Sequence, residues 1–272
     1  MKKDNYIIVL LFIVGFYFTQ VLYTLGVYIV HDLFDGKIPN PELIQAGMQF
    51  LILTIICGYI YIFNKYLVRQ VVEKEVKINE VRGVAKRRIS HFAIGVGFGL
   101  AAGILVLTIR DFGHMVEKIT FYDLQKDYIF IILSLVSTAL AVIMEEFVFR
   151  GTLFPMLRKF KCSFRFSTTI TGITFSLFHI GKGIGLIDLL FYFLLSVLLC
   201  YIIEKTNTIW FGVGIHLGWN IISKGISIFK VDYKSEQIFL LFEKMINLVV
   251  VVAAIVIFMV ISNKRMKNEE IA

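Results

Sequence analysis

The chain is short of the residues that staple or stiffen small soluble domains: 3 cysteines and 3 prolines in 272 residues. Cys57, Cys162 and Cys200 form no CxxC pair and no zinc-finger spacing. That excludes a disulfide scaffold and a zinc ribbon, and leaves them as small apolar fillers or free thiols. Charge is scarce as well, at 18% of residues, against about 25% in soluble domains. No GK[ST] follows Gly181-Lys182-Gly183-Ile184-Gly185, so this stretch reads as a turn and not a phosphate loop. The sequence has no HExxH, no nucleic-acid motif and no internal repeat. No nucleic-acid partner is expected, although the net charge is +8.

What is present in excess is hydrophobic surface, at 58% of residues. It comes in solid runs and not in the alternating pattern of an outer-membrane barrel. A transmembrane helix needs about 20 mostly apolar residues. The candidate spans are Tyr6–Val30, Leu43–Phe63, Phe92–Ile109, Tyr128–Leu157, Phe166–Ile180, Leu189–Ile203, Ile209–Phe229 and Met245–Ser262. The first is too long for a signal-peptide core and lacks an A-x-A site, so it reads as a retained span. The expected fold is an all-α membrane protein, a polytopic bundle of about eight transmembrane helices forming one domain over residues 1–272. Its lipid bilayer is expected to be a cell membrane.

Orientation follows from Lys and Arg, which concentrate on the cytoplasmic side. With both termini on one side, the 28 Lys and Arg divide 19 to 9 in favour of that side, and residues 64–91 alone carry 8 of them. Both termini are therefore expected in the cytoplasm. Gly95, Gly99 and Gly103 line one face of the third span, and Gly214 and Gly218 do the same in the seventh. That spacing lets a neighbouring helix approach closely.

Charges within a span are expensive and so point to chemistry. Glu145, Glu146 and Arg150 lie within six residues of the fourth span. Glu146 and Arg150 are four apart and share a helix face, so they can pair. Glu145 is turned about 100° away. It is left facing the interior, where a carboxylate suits proton transfer. The bland alternative is that both glutamates cap the cytoplasmic end of the span. His179, in Phe175-Ser176-Leu177-Phe178-His179, taken alone reads as a satisfied core histidine. His216 and Asn220 are four apart on one face. They form either a pair of donors suited to an oxyanion or an ordinary interhelical hydrogen-bond pair.

Depth decides whether these groups can meet. At 1.5 Å per residue, Glu145 reaches the level of His179, His216 and Asn220 only if its helix continues past Arg150 to about Leu157. A continuous helix is therefore expected. The assembled set holds no serine or cysteine in a comparable motif, which favours attack by an activated water.

Glu145-Glu146…Arg150, Phe175…His179 and His216…Asn220 resemble, in order, the EExxxR, FxxxH and HxxxN motifs of the CPBP family. This is the family of CAAX proteases and bacteriocin-processing enzymes, also called Abi. The motifs cover about 140–225, and the span layout extends the likeness over most of the chain. The resemblance implies a hydrolase, an intramembrane endopeptidase with its catalytic core at about 128–229. It implies that Glu145 activates water with help from His179, that His216 and Asn220 stabilise the oxyanion, and that Glu146 and Arg150 hold the geometry. The implied partner is a membrane-associated peptide or protein substrate, cleaved in peptide, pheromone or bacteriocin processing, in immunity, or at a CAAX-type tail. The short Lys- and Ile-rich chain looks like a bacterial plasma-membrane member. No cofactor is required by this scheme, but zinc is an open alternative, with Glu145, His179 and His216 as ligands. The alternative functions are a non-catalytic membrane immunity or scaffold protein of the same fold and, because intramembrane Glu and His also mark ion paths, a small transporter or proton relay. The lack of similarity between the two halves counts against the latter.

Overall fold

The computed structural model describes residues 7, 9–18, 21, 25, 51, 54 and 58, and then 81–113, 116–121, 123, 128–180, 185–223, 229–233 and 237–271. Most of the first two expected spans, and Cys57, lie outside the described residues. The elements are α1 (Val9–Phe18), α2 (Val81–Phe112), β1 (Val116–Phe121), α3 (Tyr128–Lys159, with a π-helical turn at Phe149–Leu153), α4 (Phe164–Leu177), α5 (Leu186–Thr206), α6 (Trp210–Ser223), β2 (Phe229–Tyr233) and α7 (Gln237–Ile271).

Among the described residues, four helices are long and apolar enough to cross a bilayer: Arg88–Phe112, Tyr128–Lys159, Leu186–Thr206 and Leu241–Val260. Their outer faces are apolar and open: Phe98, Ile104, Ile132, Val249, Val256 and Ile257 are all exposed. A soluble protein rarely presents so much contiguous apolar surface. The chain is a helical membrane protein.

Three sequence expectations need adjustment. The expected fifth span ends early: α4 stops at Leu177, and His179 lies in the following turn. The expected seventh span reaches Phe229, but α6 stops at Ser223 and Phe229 opens β2. At 14 residues each, α4 and α6 are about 21 Å long, shorter than the bilayer core. A small sheet also departs from the all-α expectation. Strands β1 and β2 pair antiparallel, with Phe121 opposite Phe229 and Val116 opposite Tyr233. Val116, Ile119, Phe121 and Val231 give these stretches strand-forming residues between turns, too few in number to be visible beside 20-residue apolar runs.

The glycine stripes meet each other. Gly95 and Gly99 of α2 lie against the backbone of α6 at Phe211, Ile215 and Trp219, while Gly214 and Gly218 of α6 lie against α2 at Phe92, Val96 and Leu100. A Cβ at any of the four would collide with backbone. The two helices thus pack with almost no side chain between them, the arrangement small residues permit in lipid. Polar ties hold other helix ends. Arg110 of α2, itself buried, donates to Asn247 at 3.0 Å and pairs with Glu243 at 3.0 Å, both on α7. Lys244 of α7 pairs with Asp188 of α5 at 2.7 Å. At the opposite end Arg158 pairs with Glu204 at 2.8 Å, joining α3 to α5.

Candidate active site

The α3 helix continues past Arg150 to Lys159, as the depth argument requires. It does so through the π turn Phe149–Leu153. Gly151 sits inside that turn, and Pro155 follows within the first two positions of the next α segment. A proline lacks the amide hydrogen and crowds the carbonyl four residues back, so a wider turn there relieves both problems. Thr152 Oγ1 donates to the Phe147 carbonyl at 2.9 Å, five residues back. Glu145 lies about 20 Å from the Lys159 end, and Glu145, Glu146 and Arg150 are all buried.

Arg150 and Glu146 pair at 3.2 Å with both side chains fully buried. Arg150 also lies over the Phe175 ring, its Cζ 4.1 Å from the ring centre, a cation–π contact inside the protein. Phe175 is completely buried and touches the rings of Phe149, His179 and His216 edge-on. The phenylalanine of the second motif therefore covers the arginine of the first. Phe16 of α1 closes this aromatic cluster against Phe149 and Phe178, and Tyr17 donates to the Thr174 carbonyl at 2.6 Å.

His179 and His216 approach from two sides. Nδ1 of His179 lies 2.9 Å from the Phe175 carbonyl. A carbonyl only accepts, so Nδ1 carries the hydrogen and the neutral ring has an unprotonated Nε2. That Nε2 stands 4.0 Å from Glu145 Oε2. Nδ1 of His216 lies 3.0 Å from Glu146 Oε1, the same oxygen that accepts from Arg150. Nδ1 is again the donor, and His216 Nε2 stands 3.8 Å from Glu145 Oε2. Asn220 is one turn further along α6 and is also buried. The close α2–α6 contact behind Gly214 and Gly218 sets the position of both.

A carboxylate oxygen and the Nε2 atoms of two imidazoles thus converge in a buried interior. Their chemistry suits zinc, and Glu146 behind His216 is the outer carboxylate such sites favour. The spacing is a few tenths of an ångström wider than that of ligands around one zinc ion. Ligands about 2.0–2.2 Å from a tetrahedral zinc stand about 3.3–3.5 Å apart, whereas Glu145 is 3.8 and 4.0 Å from the two nitrogens. Among the described residues no group of three or more potential ligands is set to hold a metal ion.

One neighbour lies outside the sequence motifs. Tyr192 of α5 stacks flat on His179, with ring centres 3.7 Å apart and planes 16° from parallel. Nothing in the sequence separates Tyr192 from the other aromatic residues of its apolar run. No curated protein and no solved structure matches the chain. Residues 127–222 match the family model for Rce1-like proteins, described as type II CAAX prenyl endopeptidase Rce1-like, and that match spans all three motifs and agrees with the CPBP resemblance.

Proposed function

We propose that the chain is an intramembrane endopeptidase that cleaves a membrane-associated peptide or protein with an activated water. The observation that carries this reading is the convergence of Glu145 Oε2 with the Nε2 atoms of His179 and His216, at 4.0 and 3.8 Å. The Rce1-like match over 127–222 supports the reaction class.

Glu145 Oε2 and His179 Nε2 are both acceptors. A water between them, at about 2.8 Å from each, donates one hydrogen to each acceptor and turns its lone pairs outward. Attack on the substrate carbonyl carbon forms the C–O bond as a water proton passes to Glu145. The oxyanion so formed needs donors. The Asn220 amide offers one. His216 offers Nε2–H only as the imidazolium, and Glu146 at Nδ1 is the group that balances that charge, as the carboxylate does in a catalytic triad. When the C–N bond breaks, the proton held at Glu145 returns to the leaving amine. Arg150 keeps Glu146 in place throughout. The catalytic core of this scheme is about 128–229, in an eight-span chain with both termini cytoplasmic in a bacterial plasma membrane. The substrate belongs to the class of processed peptides, pheromones, bacteriocins or CAAX-type tails.

The test is cleavage of a panel of short membrane-associated peptides by purified protein in detergent or liposomes. Glu145→Gln and His179→Ala are each expected to lower kcat by about 10²–10⁴, the usual worth of a general base and its partner, while the protein stays folded. A parallel chelator arm is expected to leave activity intact; abolition by chelator and rescue by zinc would replace the metal-free scheme. A cellular phenotype that survives Glu145→Gln would favour a non-catalytic immunity or scaffold role.

A further inference from the structure

His179 is not held by a helix. It sits in the turn after α4, with its backbone amide donating to the Ser176 carbonyl at 3.0 Å. The hydrogen bond at Nδ1 sets the tautomer, but a hydrogen bond along one axis does not fix the plane of the ring. Three neighbouring rings do. Phe175 and Phe178 meet the imidazole edge to face at 4.8 and 5.2 Å, and Tyr192 lies parallel to it at 3.7 Å. Of these three, Tyr192 is the stacked one, so it defines the plane in which Nε2 points at Glu145.

Tyr192 is itself anchored. It belongs to the second turn of α5, whose start is tied twice. Ser176 donates to the Leu189 carbonyl, bringing the end of α4 onto α5. Asp188 accepts from the Gly185 amide at 2.9 Å and from Lys244 of α7 at 2.7 Å. The α5 start is thereby fastened both to the segment that carries His179 and to α7.

We infer that Tyr192 is a positioning residue, whose ring clamps the His179 imidazole so that its unprotonated Nε2 faces Glu145. The role rests on the endopeptidase reading for its catalytic consequence, but the clamp is a property of the ring pair and can be measured without substrate. The stacked face, not the hydroxyl, carries it.

The experiment uses the full chain in detergent with Tyr192→Phe, which keeps the ring, and Tyr192→Leu, which removes it. Two readouts are taken: the rate at which diethyl pyrocarbonate modifies His179 and His216, resolved by peptide mass spectrometry, and kcat and KM on any peptide that the wild type cuts. Tyr192→Phe is expected to match wild type within about twofold in both. Tyr192→Leu is expected to raise His179 modification several-fold with His216 unchanged, and to lower kcat about tenfold or more at constant KM, as misplacement of a reacting group does. If Tyr192→Leu does not fold, Tyr192→Met fills the volume without a flat ring and carries the same expectation. Unchanged His179 modification in the ring-less variant would overturn the inference. So would a Phe variant as impaired as the Leu variant. If no protein in the series cuts any peptide while the modification pattern appears, the clamp stands and the endopeptidase reading falls.

Discussion

Glu146 is fully buried and has two polar partners in the site. Its Oε1 accepts from Arg150 and from His216, so one carboxylate joins the first motif to the third. Arg150 in turn is covered by Phe175, the first residue of the second motif. Removing one partner of a buried ion pair leaves the other uncompensated, which costs about 3–5 kcal/mol, whereas replacing both with apolar groups is far milder. Arg150→Met should therefore lower unfolding stability in detergent by about 3 kcal/mol, and the Glu146→Leu/Arg150→Met pair should recover part of that loss. The double variant should still be inactive, because His216 has lost its carboxylate; full activity in it would remove Glu146 from the scheme. At this scale the sequence is informative about ionisable groups, since their spacing on a helix is arithmetic. It is silent about Tyr192, because stacking depends on how α5 lies against the turn after α4, and no spacing within one helix reports that.

At the scale of elements, the glycine stripes and the π turn decide where the site residues stand. The four-residue spacing of Gly95, Gly99, Gly214 and Gly218 is legible as close packing. That the two stripes are each other's partner is not, because identical small residues fit any small-residue face. Gly99→Val puts a branched side chain where even a Cβ meets the α6 backbone at Ile215 and Trp219. It is expected to destabilise the protein by about 1–3 kcal/mol or more, the range for overpacking a tight contact. Activity should fall further than stability does, since α6 carries His216 and Asn220. A thermal melt alongside the cleavage assay checks this, and wild-type behaviour in both would mean that α2 and α6 are not in close contact. The continuation of α3 past Arg150 follows from depth, yet its π turn does not. The turn reflects a local conflict between Pro155 and helix geometry that hydropathy does not register.

For the whole molecule, the short helices bear on how the site is reached. His179 lies beyond the end of α4, Asn220 is within a turn of the end of α6, and Tyr192 is in the second turn of α5. Toward the Lys159 end of α3 and the Thr206 end of α5 the core is solid, with Leu153, Phe154, Leu157, Leu199 and Ile202 at 2% exposure or less. His179, Asn220 and Tyr192 therefore lie toward the ends of their helices nearest β1 and β2, while Glu145 sits near the middle of α3. In the proposed orientation, which rests on the 19-to-9 division of Lys and Arg, the β1 and β2 end faces the non-cytoplasmic side. In a background without Cys57, Cys162 and Cys200, Leu186→Cys should react with a membrane-impermeant maleimide in intact cells. Lys161→Cys, at the opposite end, should react only after permeabilisation. The reverse pattern would invert the orientation.

Composition and apolar run length determined by themselves that this chain lives in a bilayer as helices, because lipid offers no other way to satisfy a spanning backbone except a closed barrel. Helical spacing determined that Glu146 and Arg150 could pair and that His216 and Asn220 share a face. The tertiary structure alone decided the rest. It brought Glu145 to two imidazoles from separate segments, gave Glu146 a second partner, and laid Tyr192 on His179. It also ended α4 and α6 early, which places His179 just beyond one helix and Asn220 in the last turn of another. Each of these depends on the relative placement of separate helices. That placement is set by packing between surfaces far apart in the chain, such as the α2 and α6 glycine stripes, and periodicity within one segment cannot carry it.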